Sequence, residues 1–207
     1  MKLEDALSLI RDIQDYPKPG ILFKDITPLL ADPAAFATVI SAFADQIDDV
    51  DVIAGIEARG FIFAAAIALA KGAGFVPFRK SGKLPFETIG AKYGLEYGED
   101  EIEVHIDAFA DGKSVVIIDD VLATGGTALA VLNLLNRRFG VPPEKTFVTA
   151  VINLEFLGGR RRFNTPLRAK SSPIRRTITT PHGAVLLSQR DPALEHTAAV
   201  LVAPRAI

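Results

Sequence analysis

The spacing of hydrophobic positions changes several times along this chain, and each change marks an element. Leu3, Leu7, Ile10 and Ile13 recur at helical spacing, so residues 3–14 are expected to form a first helix. The run Tyr16-Pro17-Lys18-Pro19-Gly20 breaks it. Residues 21–30 are mixed. Asp32-Pro33 then opens a second helix over 34–47, with Phe36, Val39, Ile40, Phe43 and Ile47 on one face. Residues 50–55 (VDVIAG) read as a short strand, Glu57-Ala58-Arg59-Gly60 as a turn, 61–71 as an Ala-rich helix and 74–79 (GFVPFR) as the next strand.

Residues 80–101 are rich in glycine and show little periodicity, so they are expected to form a long loop with a strand pair around 89–95. Residues 102–106 alternate like a strand. Val115 to Ile118 is a continuous apolar run, the pattern of a strand buried on both faces. A helix over 127–139, ended by Gly140, and a strand over 145–152 follow. Strands alternating with helices predict an α/β fold, a parallel sheet of about five strands flanked by helices. Beyond Leu157 the pattern degrades, although 184–188 and 198–202 are apolar runs.

Composition narrows the function classes. The length of 207 residues suits one domain, or one with an appendage. A formal net charge of −2 gives the whole chain no pull on nucleic acid. The absence of cysteine excludes disulfides and thiolate chemistry and fits a reducing cytoplasm. The N-terminus lacks the basic start and apolar core of a signal peptide. The longest apolar run, 60–70, is shorter than the roughly 20 residues that span a bilayer. A soluble cytoplasmic protein with no membrane partner is expected. His105, His182 and His196 show no metal-ligand spacing.

The chemistry concentrates in Val115–Thr127 (VVIIDDVLATGGT), an apolar strand ending in Asp119 and Asp120, then a loop of small residues that opens a helix. Ligands of parallel α/β sheets bind beyond the carboxyl ends of strands. Glycines let backbone approach a ligand closely, and free N–H groups at a helix start suit a phosphate. Ala123, Thr124, Gly125, Gly126 and Thr127 therefore form a candidate phosphate cradle. Two acids facing phosphate would repel it; facing sugar hydroxyls they make sense, so the expected ligand is a phosphorylated sugar. Neither GxxxxGK[ST] nor GxGxxG occurs, which excludes the usual nucleotide loops.

This segment resembles the 5-phosphoribosyl-1-pyrophosphate (PRPP) motif of type I phosphoribosyltransferases. Further segments resemble the adenine-specific branch of that family: Asp15–Leu30, Gly55–Phe63 with Val76–Pro85, and Tyr93–His105. The match runs from about residue 3 to 158. It implies a phosphoribosyltransferase domain over 1–159, with a small N-terminal hood (about 1–30) and a flexible lid (about 80–103). The implied reaction is adenine plus PRPP giving AMP plus pyrophosphate, with Mg²⁺ carried on PRPP rather than held by an assigned protein ligand. The resemblance also implies a homodimer. It places Asp119 and Asp120 on ribose hydroxyls, 123–127 on the 5′-phosphate, and Arg59, Arg79, Lys80 and Lys83 around pyrophosphate, where cations would gather about the charged leaving group. Glu96, beside Tyr97 in the lid, would assist proton movement at the purine. Leu22, Phe23 and Lys24 would cover the adenine, although some members carry arginine where Lys24 stands.

Two rivals stand beside this reading. One keeps the class but transfers to a 6-oxopurine such as xanthine, hypoxanthine or guanine. The other is a PRPP-sensing regulator that binds DNA, disfavoured because the N-terminal residues match the hood and the lid is intact. Residues 160–207 depart from the family pattern, with Arg160-Arg161-Arg162 and Arg175-Arg176. They are expected to be an atypical, partly disordered extension; a basic segment for an acidic partner and a frame change are the other readings.

Overall fold

The computed structural model of the protein describes residues 1–95, 98–110, 113–142 and 145–153, together with strands at 176–179, 185–188 and 199–202. The chain runs α1 (Leu3–Leu7), β1 (Arg11–Gln14), β2 (Leu22–Asp25), α2 (Thr27–Ala31), α3 (Pro33–Ala44), β3 (Val52–Ile56), α4 (Gly60–Lys71), β4 (Gly74–Lys80) and β5 (Thr88–Leu95). It continues through β6 (Gly98–His105), β7 (Val115–Leu122), α5 (Gly126–Phe139), β8 (Thr146–Asn153), β9 (Arg176–Thr179), β10 (Val185–Ser188) and β11 (Ala199–Val202).

The main sheet has nine strands in the order β5-β6-β4-β3-β7-β8-β11-β10-β9. Its centre, β4-β3-β7-β8-β11, is parallel. The flanking strands pair antiparallel. The expected five parallel strands are thus a core that hairpins extend on both sides into a mixed sheet. The apolar run at 184–188 becomes β10, and β11 is the strand that extends the sheet beyond β8.

The central strands are buried on both faces. Ile53 of β3 and Val116 and Ile118 of β7 join the core formed with α1, α3 and α4. Val52, Ala54, Ile56, Val115 and Ile117 point the other way, into the core with α5. Burying apolar side chains at about 25 cal/mol per Å² makes this two-sided strand register the main source of cohesion. Asp32 caps α3, its carboxylate accepting from Ala35 N at 2.8 Å.

Two expectations need correction. The helix at 3–14 stops at Leu7, and 11–14 form β1, paired antiparallel with β2. The period of Leu3, Leu7, Ile10 and Ile13 is helical, but Ile13 pairs with Phe23 and Asp12 with Lys24 across the hairpin. Tertiary pairing overrides local spacing there. The expected long loop shrinks to residues 81–87, and the strand pair expected around 89–95 is a longer β-hairpin. Strands β5 and β6 pair continuously from Thr88↔His105 to Leu95↔Gly98, and β6 continues onto β4. Glycines at 90 and 94 hid its full length. Among the described residues, no helix is long and apolar enough to cross a membrane.

Candidate active site

The buried run of β7 delivers Asp119 and Asp120 to the carboxyl end of the parallel core, and the 123–125 bend turns directly into α5. Gly125 stands at the N-cap with φ of 74°, a left-handed conformation that a side chain would strain. Among the described residues no side chain caps α5, and its first turn carries no acid. Unsatisfied N–H groups and the positive end of the helix dipole therefore face outward, an arrangement that attracts an anion.

Asp119 keeps part of its surface open, yet burial of its carboxyl, and then the charge on Asp120, push its pKa well up. Asp120 is 6% exposed. Burial raises its pKa too, against the opposing pull of Arg59. Arg59 Nη2 approaches Asp120 Oδ2 at 2.6 Å, although this oxygen accepts no aligned hydrogen bond among the described residues. The contact is a charge pairing without full hydrogen-bond geometry.

Arg59 also reaches the β1–β2 hairpin. Its Nη1 donates to Lys24 O at 3.2 Å, and its guanidinium carbon lies 5.0 Å from the centre of the Phe23 ring. One side chain thus joins the segment 22–24 to the acid pair. It can do so because Gly60, the next residue, lets α4 lie tight on β7. A Cβ there would fall 2.8 Å from Ile118 O and 3.3 Å from Asp119 Oδ1. Lys24 itself turns away. Its buried ammonium pairs with Asp12 at 2.5 Å, leaving only its backbone toward the site. Phe23 packs edge-on against Tyr16 at 5.1 Å, and Leu22 is half-buried in the same strand.

Two of the remaining cations, Arg79 and Lys80, are held by acids. Glu57 accepts from Arg79 Nη2 at 3.1 Å, Arg79 Nε at 3.3 Å and Lys80 N at 2.9 Å. Burial raises the Glu57 pKa, but these donors outweigh it and hold the group below its usual value. Lys80 Nζ pairs with Asp100 Oδ2 at 2.9 Å. That contact is the main reason the Lys80 pKa rises and the Asp100 pKa falls. Lys83 is exposed, and its carbonyl accepts from Arg79 Nη1 at 2.9 Å. Glu103 accepts from Ser81 and from Gly82 N, which shapes the turn after β4.

The hairpin lies over the loop. A Cβ on Gly126 would sit 3.3 Å from Gly94 O and 3.9 Å from Tyr93 Cδ2. The structure therefore gathers Arg59, Asp119, Asp120 and 123–127 at one sheet edge, with Arg79, Lys80 and Lys83 beside them on β4 and its turn. Glu96 and Tyr97 lie outside the described residues. Sequence reasoning missed Glu57, Tyr93, Asp100 and Asp12. Glu57 had one visible signal, an acid two residues before Arg59 in a turn at a strand end. Tyr93 and Asp100 become partners only once the hairpin register is known.

The phosphoribosyl transferase domain model matches residues 25–140. The adenine phosphoribosyltransferase of Acidothermus cellulolyticus is 56% identical over 155 residues, 74% of this chain and 86% of that protein. The crystal structure of adenine phosphoribosyltransferase from Thermoanaerobacter pseudethanolicus superposes with a TM-score of 0.74 at 46% identity, covering 79% of this chain and 94% of that one. The Trypanosoma brucei adenine phosphoribosyltransferase, solved with AMP, pyrophosphate and ribose-5-phosphate, matches with a TM-score of 0.70 at 26% identity, covering 78% of this chain and 71% of that one. An uncapped helix behind a glycine turn, an acid pair at the strand end and relatives this similar lead to one conclusion: the chain belongs to the phosphoribosyltransferase family, among its adenine phosphoribosyltransferases.

Proposed function

We propose that this chain converts adenine and PRPP to AMP and pyrophosphate through the residues gathered around Arg59. The observation that carries the site assignment is the triple contact of Arg59 with Asp120, Lys24 O and the Phe23 ring. It sets the base-covering segment 22–24 beside the acids that would hold ribose hydroxyls. Loop 123–127 takes the 5′-phosphate on the free N–H groups of α5. Arg59, Arg79, Lys80 and Lys83 receive pyrophosphate, the first three exchanging their present carboxylate and backbone partners for phosphate oxygens. AMP, pyrophosphate and ribose-5-phosphate, the molecules found with the Trypanosoma brucei relative, are the ligands this division of the site would accommodate.

In the reaction, the bond from C1′ to the pyrophosphate oxygen breaks, and its electron pair leaves with pyrophosphate. The adenine N9–C1′ bond forms, and the proton of N9 departs. Cations set in advance around the leaving group favour that charge movement. Excluding water protects the electron-poor sugar carbon, a task that suits the hairpin over the loop. The role of Glu96 as acceptor of the purine proton rests on the family resemblance.

Among the described residues no cluster of three or more His, Cys, Asp or Glu could hold a metal unaided. The buried acid pair offers carboxylate oxygens that would face a cation brought in on ligand oxygens. Mg²⁺ carried on PRPP would neutralise charge on PRPP and pyrophosphate, and Asp119 and Asp120 are the acids that would face it.

We also propose a homodimer. Ile62 and Leu69 lie seven residues apart on one face of α4, 40% and 86% exposed, and Phe75 of β4 is 38% exposed. A second copy covering these apolar side chains accounts for them. The cytoplasm as compartment rests on the cysteine-free sequence.

The direct test supplies adenine, PRPP and Mg²⁺ and follows both products. AMP and pyrophosphate in equal amounts are expected, with Glu96→Gln lowering turnover more than adenine binding. Hydrolysis of PRPP without AMP formation contradicts the reading.

A further inference from the structure

We propose that Tyr93 and Asp100 are a pair of positioning residues that tie the β5–β6 hairpin to the start of α5 and so set PRPP affinity. The two stand directly opposite each other in the hairpin register. The Tyr93 hydroxyl donates to Asp100 Oδ2 at 3.2 Å, and the same oxygen receives Lys80 Nζ at 2.9 Å. On the other side, the hairpin meets the start of α5. The Tyr93 ring and Gly94 O already rest against Gly126.

A path thus runs from Gly126 at the start of α5, through Tyr93 on β5 and Asp100 on β6, to Lys80 on β4. Its ends are a residue of the phosphate cradle and a cation of the pyrophosphate group. The path is partly buried: Tyr93 is half-buried, and the Asp100 side chain is 23% exposed. A charge-assisted bond in such surroundings is stronger than one in open water. Asp100 has two tasks. With its charge it holds the Lys80 ammonium in place until a polyanion competes for it. With its oxygen it anchors the Tyr93 hydroxyl, which keeps the hairpin seated on the glycine turn at 125–126.

Neither residue lies in the segment 22–24 or touches Arg59 in any described contact. Loss of the pair therefore weakens PRPP and leaves adenine alone. The proposal rests on the assignment of 123–127 to the 5′-phosphate and of Lys80 to pyrophosphate.

The experiment compares Tyr93→Phe, Asp100→Ala, their double variant and Thr127→Val by steady-state kinetics in both substrates, with thermal melts alongside. Tyr93→Phe removes one oxygen and keeps the ring, so the hairpin retains its packing. The expected result is a KM for PRPP raised roughly 5- to 20-fold in each single variant, the scale of one or two lost hydrogen bonds. The KM for adenine stays within about twofold, and the double variant is little worse than the worse single one, because linked residues are not additive. Asp100→Asn, which keeps an acceptor for Tyr93 but drops the charge, should recover part of the loss. An unchanged KM for PRPP in Tyr93→Phe and Asp100→Ala, with Thr127→Val impaired, overturns the pairing and leaves the cradle assignment standing. All three unchanged overturns both. Single effects that multiply in the double variant, or that raise the adenine KM equally, also overturn it.

Discussion

At the amino end of β7 the carboxylate of Asp51 accepts from Ser114 N at 2.8 Å, from Ser114 Oγ at 2.9 Å and from Lys113 Nζ at 3.0 Å. At the carboxyl end of the same strand, Asp119 and Asp120 press like charges together, and Arg59 is the cation that offsets them. The two ends move their acids in opposite directions. The Ser114 N–H, then Lys113 and the Ser114 hydroxyl, bring the Asp51 pKa down to about 2. Burial and mutual repulsion push Asp119 up. Ionising Asp51 stabilises the fold, whereas ionising Asp119 opposes it. The strand's acid is relaxed where it begins and its acids are crowded where it ends, the kind of perturbation that gathers at functional sites.

Substitutions at the two ends should therefore separate activity from stability. The largest effect is expected for Asp120→Asn, with kcat/KM for PRPP lowered by about 100-fold or more, the scale of one misplaced charge partner in a preorganised site. Wild-type use of PRPP would remove the ribose assignment. Asp119→Asn should show the trade-off most clearly: weaker PRPP use together with a melting temperature raised by roughly 2–4 °C, as about 1 kcal/mol of relieved repulsion gives in a chain this size. A lower melting temperature would mean that the acid pair is structural. Glu57→Gln comes next. It loosens Arg79 while sparing the fold, so a rise of about tenfold in the KM for PRPP is expected.

At the other end, Asp51→Asn should leave kcat/KM unchanged and lower the melting temperature. The pH dependence gives the same contrast with opposite signs. A lowered folded pKa means that the stability supplied by Asp51 is present above 3.8, its ordinary value, and is lost as pH falls toward about 2. Denaturant melts across that interval should flatten in Asp51→Asn. A raised folded pKa means that Asp119 favours folding below 3.8, and that this is lost as pH climbs through its raised value. Asp119→Asn should remove that loss on the rising side.

Much of this contrast could be read before any coordinates. The strand and the loop announce themselves through the uninterrupted apolar run at 115–118 and the glycines at 125–126, because both report backbone requirements that only a few residue types meet. Arg59 could be placed at the sheet edge from its position after a strand. Its partners could not, because the contact of Arg59 with Lys24 O and Asp120 joins residues far apart in sequence. The full length and register of the hairpin at 88–105 were hidden by glycines at 90 and 94, and with them the Tyr93–Asp100 pairing. The first helix is shorter than its spacing suggests because Ile10 and Ile13 keep the helical period, while the pairing of β1 with β2 ends the helix at Leu7. The partner of Lys24 was equally hidden, because Asp12 stands opposite it only once the β1–β2 register is known.

The most direct test of the central claim offers the protein PRPP and Mg²⁺ with adenine, hypoxanthine, guanine and xanthine in separate reactions and measures nucleotide formed. The account predicts AMP from adenine at a rate well above that of any 6-oxopurine. A 6-oxopurine nucleotide formed faster than AMP would contradict it.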